Sequence, residues 1–202
     1  MPPGVHVRAA DFADVPAVTE TISLAFHDDP TWSWAFPDAE VRQAQYRVWW
    51  RFLLEGALRF ESPSVYVTDA FEAAAVWLPP GESELAPEQE VAVPDILRKL
   101  VGARADTITD LLKRFEAAQP TDPHHYYLSL LGVHDDHRGK GIGMRLLEEN
   151  LARFDAERVP TYLESSNAAN DHLYEARGYR RIGEFTTPDD AVVIASYWRD
   201  AS

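Results

Sequence analysis

The segment that most limits what this chain can become runs Val133-His134-Asp135-Asp136-His137-Arg138-Gly139-Lys140-Gly141-Ile142-Gly143. Before it lies the aromatic and apolar run His125–Val133, a strand pattern suited to a buried central place in a sheet. After it, Leu146, Leu147, Leu151 and Phe154 recur at helical spacing and predict a helix from about Ile142 to Glu157. Thr161–Ser166 is the next strand, so the middle of the chain reads strand–turn–helix–strand, a crossover that joins parallel strands. Glycine at alternate positions, where a strand hands over to a helix, admits positive φ and lets a ligand approach without a Cβ in the way. The first N–H groups of a helix have no partner inside it, and the dipole adds about half a positive charge. Such a turn is an anion cradle, and Arg138 and Lys140 reinforce it.

Two familiar phosphate loops are excluded by spacing. A Walker loop needs Ser or Thr after its lysine, and Lys140 is followed by Gly141. The dinucleotide fingerprint Gly-x-Gly-x-x-Gly fails because the third glycine, Gly143, comes one position early. On the glycines alone, a chemically silent connection stays open. The 202-residue chain carries 19 basic against 33 acidic residues, a net charge of −14, which opposes nucleic acid and anionic membrane surfaces. No apolar run approaches the roughly 20 residues that span a bilayer. Met1-Pro2-Pro3-Gly4 lacks a secretory n-region, and there is no cysteine, so a reducing cytoplasm is the expected setting.

The remaining pattern is mixed α/β. Val5-His6-Val7-Arg8 reads as a strand, and Asp14 as the cap of a helix with Pro16 in its first turn. Phe26–Pro30 ends that helix, and an aromatic helix follows from about Ala39 to Phe60. Val65–Thr68 and Ala73–Leu78 form a hairpin. Pro79–Pro94, rich in proline and glutamate, reads as loop, with short helices near Asp95–Ala103 and Ala105–Ala118. A helix from about Ala168 to Arg177 stops at Gly178, and Tyr179–Phe185 pairs with Ala191–Trp198 in antiparallel fashion. The fold class expected is a mixed central sheet flanked by helices.

The pattern Arg138-Gly139-Lys140-Gly141-Ile142-Gly143, after a strand ending Leu131-Gly132-Val133, resembles the acetyl-coenzyme A signature of the GNAT superfamily of N-acyltransferases, Arg/Gln-x-x-Gly-x-Gly/Ala. Leu163-Glu164-Ser165-Ser166-Asn167, followed by Leu173-Tyr174-Glu175-Ala176-Arg177-Gly178-Tyr179, is similar to that family's second motif. Phe26-His27-Asp28-Asp29-Pro30 and Ala75–Pro80 resemble the branch containing puromycin N-acetyltransferase, without carrying the antibiotic over as substrate. The resemblance implies a splayed sheet of about six to seven strands in a single N-acetyltransferase domain over 1–202, with a helical insertion at about 79–119. That insertion is open to two roles, a lid or a homodimer contact. The implied activity moves acetyl from acetyl-coenzyme A to a primary amine of a small molecule by direct attack, with no metal required. His134-Asp135-Asp136-His137 has no distant third ligand to make it a metal site. Three rivals stay open: a non-catalytic acyl-coenzyme A sensor, a transferase of a longer acyl group, and one acting on a protein N-terminus or lysine.

Under that resemblance the amides of Gly139, Lys140, Gly141, Ile142 and Gly143 hold the pyrophosphate, with Arg138 beside them. Gly132 marks a bulge that leaves backbone groups of Leu131 and Val133 unpaired, and the Leu131 N–H polarises the thioester carbonyl. Asn167 and Asn170 hydrogen-bond the coenzyme. An alkylamine of pKa about 10.4 is neutral in roughly one molecule per thousand at pH 7, so a base is needed. Glu164 is the first choice, directly or through water, against the plain reading of a solvated strand carboxylate. Tyr174 is the general acid for the departing thiolate, uphill by about 1.5 pKa units at ordinary values. Its plain reading is a helix aromatic packed on the sheet. His125, Asp28 and Asp29 are weaker bases, and the aspartates alternatively recognise a cationic substrate. Trp32 and Trp34, in a loop between the first two helices, border the acceptor pocket or plug the core.

Overall fold

The structure, a computed structural model, describes residues 6–202. Val5, read as the head of the first strand, and the Met1–Gly4 stretch lie outside the described residues. Seven strands form one sheet: β1 (Val7–Ala9), β2 (Val65–Thr68), β3 (Ala73–Leu78), β4 (Tyr126–Val133), β5 (Thr161–Ser165), β6 (Arg180–Thr186) and β7 (Val193–Arg199). Their spatial order is β1-β2-β3-β4-β5-β7-β6. Only β4 and β5 run parallel; the other neighbours are antiparallel. The mixed α/β sheet expected from the sequence is therefore present, as is the antiparallel pairing of its last two strands.

Strand β3 is buried along its whole length because helices cover both faces of the sheet. Alternation sends Ala74 and Val76 into one cluster and Ala73, Ala75 and Trp77 into the other. The first cluster packs α1 (Val15–Ala25), α3 (Arg42–Ala57), α4 (Pro87–Val101) and α5 (Ala105–Ala118) on one face. Trp49 and Trp50 are fully buried there, as core packing predicts. On the other face α6 (Ile142–Glu157) places Leu146, Leu147, Leu151 and Phe154 against Leu128 and Leu163. The buried indole N–H of Trp77 donates to Asn150 Oδ1 at 3.0 Å, which keeps that core free of one orphaned donor. Among the described residues no helix is long and apolar enough to cross a membrane.

The main departures from the sequence expectation are these. First, α4 begins at Pro87, inside the stretch read as loop. Pro87 sits at the helix start, where its missing N–H costs nothing, and Gln89 Oε1 accepts the Ala86 N–H at 3.0 Å. Buried Val93 and Leu97 then carry the helix past Pro94, which forfeits one backbone bond. Second, Trp32 and Trp34 lie not in a loop but on a short helix, α2 (Pro30–Ala35). Asp29 caps it, accepting the N–H groups of Thr31 at 3.0 Å and Trp32 at 3.1 Å, and Pro30 takes the first helical position. Third, Asp14 makes no cap bond to α1; its carboxylate turns back to the Asp11 N–H and to Arg8. The helix read from Ala168 is a short turn followed by α7 (Asp171–Glu175), which ends ahead of Gly178 at φ 85°.

Fourth, the bulge in β4 is at Ser129, not Gly132. Trp77 faces Leu128 and Val76 faces Leu130, so Ser129 is the extra residue, whereas Gly132 pairs regularly with Ala74. Gly132 is glycine for packing. A Cβ there would meet the Cβ of Ala25 at 2.8 Å and Cδ1 of Ile22 at 2.9 Å, both on α1.

Candidate active site

Strands β4 and β5 pair through three rungs, the last being Leu128 with Leu163. Beyond that rung the two strands part, so Leu131, Gly132 and Val133 have β3 partners on one side and no strand partner on the other. A cleft of about 1390 Å3 opens there and runs between β4, β5, the start of α6 and the helices of the first cluster.

At one end lies the glycine turn. Gly139 and Gly141 hold φ of 74° and 71°, the left-handed region, and a Cβ on either would meet nothing within 4 Å. Their backbone is therefore bare toward the cleft, at the N-terminus of a 16-residue helix. Gly143 has a different reason: its Cβ would stand 2.6 Å from Val133 Cγ2, so its absence lets α6 close on β4. Open amides and a bare strand edge in one cleft fit a phosphate-bearing, peptide-like coenzyme. Arg138, Gly139, Gly141, Ile142 and Gly143 line the cleft, as do Leu131 and Val133; Gly132 and Lys140 do not. The Arg138 guanidinium donates to the carbonyls of Leu24 and Ala25 at 2.9 Å each, satisfying the C-terminal end of α1, and Lys140 Nζ donates to the Asp136 carbonyl. His134, Asp135 and Asp136 place three potential metal-binding atoms within 4.8 Å of one another in this turn.

At the parting of the strands stands Glu164. Both carboxylate oxygens are closed to solvent, and none of their neighbours reaches them with good hydrogen-bond geometry, the Tyr127 and Tyr162 phenols being close by. Burial pushes this carboxyl up to about 8; the phenols of Tyr162 and Tyr127 offset part of the rise and the charge of Glu84 adds to it. Tyr174, carried on α7, lines the same cleft. Burial, with the charges of Asp29 and Asp171, lifts its phenol well above the ordinary value, so it stays protonated and donation is steeper than ordinary values imply. Asn167 and Asn170 line the cleft on the approach to α7, and the Asn167 side chain accepts the Ala169 N–H at 3.1 Å.

The acceptor-side residues divide. Asp28, Asp29, Trp32 and His125 line the cleft and Trp34 does not. Trp34 instead donates to Asp189 Oδ2 at 2.9 Å and lies under the Arg104 guanidinium. Asp29 is committed: beyond its cap bonds, Oδ2 accepts the Ser166 hydroxyl at 2.7 Å, while burial still raises its carboxyl to about 6. His125 is wedged between the rings of Tyr162 and Trp198, Nδ1 lies 2.9 Å from the Pro123 carbonyl, and burial lowers its pKa.

Sequence reasoning missed Glu84. This half-buried carboxylate comes from the 79–119 segment, and the hydroxyl of Ser129, the bulge residue, donates to it. The only signal was a glutamate-rich stretch, which nothing in the sequence ties to β4.

Residues 105–181 match the family model described as an acetyltransferase (GNAT) domain. An uncharacterised N-acetyltransferase of Schizosaccharomyces pombe is 38% identical over 74 residues, which make up 37% of this chain and 28% of that protein's length. A Corynebacterium glutamicum structure described as histone acetyltransferase HPA2 and related acetyltransferase superposes with a TM-score of 0.69 at 23% identity, over 98% of this chain and 97% of the other. Arylalkylamine N-acetyltransferase 2 of Aedes aegypti superposes with a TM-score of 0.66 at 12% identity, over 98% and 100% of the two chains. At these identities the solved structures speak for the fold alone.

Proposed function

We propose that this chain, whose residues 105–181 match the GNAT acetyltransferase family model, moves acetyl from acetyl-coenzyme A to the primary amine of a small molecule by direct attack, with 1–202 acting as one domain. The observation that carries the reading is an unpaired, buried carboxylate at Glu164 sharing one cleft with the Tyr174 phenol and an open glycine turn. The amine class is our reading of the buried carboxylate as a base for an ammonium; the fold neighbour named for arylalkylamines shows only that this fold accommodates such acceptors.

When bound, the coenzyme supplies an acyl thioester whose leaving group is a thiol of pKa near 8.5. The amides from Gly139 to Gly143 hold its diphosphate, and Arg138 steadies the turn through the end of α1. Asn167 and Asn170 bind the coenzyme's polar arm, and the Leu131 N–H, past the last β4–β5 rung, is our choice for polarising the thioester carbonyl. Glu164 accepts the proton of the incoming ammonium. A carboxyl at about 8 is far better matched to an alkylammonium near 10.4 than an ordinary carboxylate is. Tyr174 delivers a proton to the departing sulfur, and its elevated pKa ensures that the proton is there to deliver. Asp28, Trp32 and His125 shape the acceptor's end of the cleft; Asp29 and Trp34 hold its wall through the cap of α2 and the bond to Asp189.

The test is a panel of primary amines offered with acetyl-coenzyme A and read by free thiol. Amine-dependent thiol release that climbs as pH rises through about 8 supports the reading. No release with any amine overturns it.

A further inference from the structure

We propose that Glu84 is a specificity-determining residue that binds a second positive charge on the acceptor, so that the preferred acceptor is a diamine. The proposal rests on the reading of Glu164 as the base. Its own foundation is a juxtaposition. Ser129 and Glu164 are the first residues past the last β4–β5 rung, one on each strand, and so flank the point where the sheet opens. Ser129 donates its hydroxyl to Glu84, which pins that carboxylate at the same opening. Glu84, Tyr127, Ser129 and Glu164 all line the one cleft, so the two carboxylates border a common space.

Neither carboxylate has a cationic partner among the described residues. Arg59, whose charge lowers the Glu84 carboxyl somewhat, forms no ion pair with it: its N–H groups go to the carbonyls of Gly56, Ser83, Glu84 and Leu85, and it lies over the Phe60 ring. Lys113, also on the cleft wall, pairs with Asp110 at 3.2 Å. Glu164 goes further: its oxygens are closed to solvent and have only the Tyr127 and Tyr162 phenols near them, none in good hydrogen-bond geometry, which suits a charged ligand. Burial raises the Glu84 carboxyl as well, offset in part by the Ser129 hydroxyl and the Arg59 charge, so a cation brought to it would favour its charged form. One ammonium answers one carboxylate. The attacking amine surrenders its proton to Glu164, which leaves Glu84 for a charge elsewhere on the same molecule. Exposed Glu82, Glu90 and Glu116 around the cleft add a field of the matching sign.

The experiment titrates α,ω-diamines of three to six carbons, each against the monoamine of equal length, into the full chain by calorimetry, and repeats the panel as acetyl acceptors. A charge-assisted hydrogen bond predicts that the best diamine binds about tenfold to a hundredfold tighter than its monoamine. Glu84→Gln should abolish that preference while leaving monoamine affinity within about threefold, and the kinetic loss should fall on KM rather than kcat. Ser129→Ala, which unpins Glu84 without removing it, should reduce the preference partially and covers the case in which Glu84→Gln fails to fold. Equal binding of diamine and monoamine by the unaltered protein overturns the proposal, as does a preference that survives Glu84→Gln. Acetyl transfer that proceeds without any diamine preference sinks this inference alone; a diamine preference without acetyl transfer sinks the transferase reading alone.

Discussion

Gly143 lies so close beneath Val133 that a methyl group on it would stand 2.6 Å from Cγ2 of the valine. Two glycines of one turn thus answer to different physics: Gly143 to contact between α6 and β4, Gly141 to its φ of 71° and the open space beyond. Gly143→Ala should lower stability by about 1–3 kcal/mol, read as a drop in Tm. Gly141→Glu should fold but abolish coenzyme A binding in calorimetry, because bulk and negative charge then face the diphosphate. Intact affinity would displace the diphosphate from this turn.

Tyr174→Phe removes one hydroxyl from a cleft wall and should lower turnover by about 10²–10⁴-fold, with coenzyme affinity nearly unchanged. Steady-state kinetics beside direct binding separates the two. Unaltered turnover removes Tyr174 from the mechanism.

Glu164→Gln should abolish most turnover and yet stabilise the fold in alkali. The folded-state pKa of about 8 lies above the unfolded value near 4.5, so the folded protein favours the protonated carboxyl. That preference is fully favourable below pH 4.5 and is lost as pH climbs through 8. Thermal melts should show the variant more stable by about 5 °C or more at pH 9, and equal to the parent near pH 4. A variant that is less stable at pH 9 contradicts the burial of an unpaired carboxylate.

Asp155 shows the opposite sign. Arg199 binds it through two nitrogens at 2.7 Å each, and the Ser202 N–H and hydroxyl add to the set, holding this carboxyl well below its usual range. Its contribution is present above pH 3.8, the unfolded value, and fades as pH falls further. Asp155→Asn should cost about 1–3 kcal/mol at pH 7. The gap in Tm between variant and parent should narrow on acidification below pH 4.

Much of this was readable from residue pattern because local chemistry and tertiary role coincide there. Val133 to Gly143 states its strand end, its turn and its helix start in consecutive residues, and Gly178 marks a helix stop that the backbone obeys at φ 85°. Misreadings arose where a residue's reason lay elsewhere in the chain. Gly132 resembled a bulge because glycine in a strand so often is one, but what it makes room for is Ile22 and Ala25, more than 100 positions away in sequence. Ser129, an ordinary serine by pattern, carries the bulge because of its register against Val76 and Trp77. Asp29-Pro30 held a capping signal that was there to be read, and the tryptophans after it obscured it. Glu84 had no such signal: its significance is a contact across 45 positions.

The bond from Ser166 to Asp29, doubled by the Thr31 hydroxyl on the Ser166 carbonyl at 3.0 Å, ties the start of α2 to the chain leaving β5. Asp29 and Ser166 both line the cleft, so two stretches far apart in the sequence are riveted to each other at one point of its wall. Ser166 is therefore the first place to cut if that part of the wall is to be loosened.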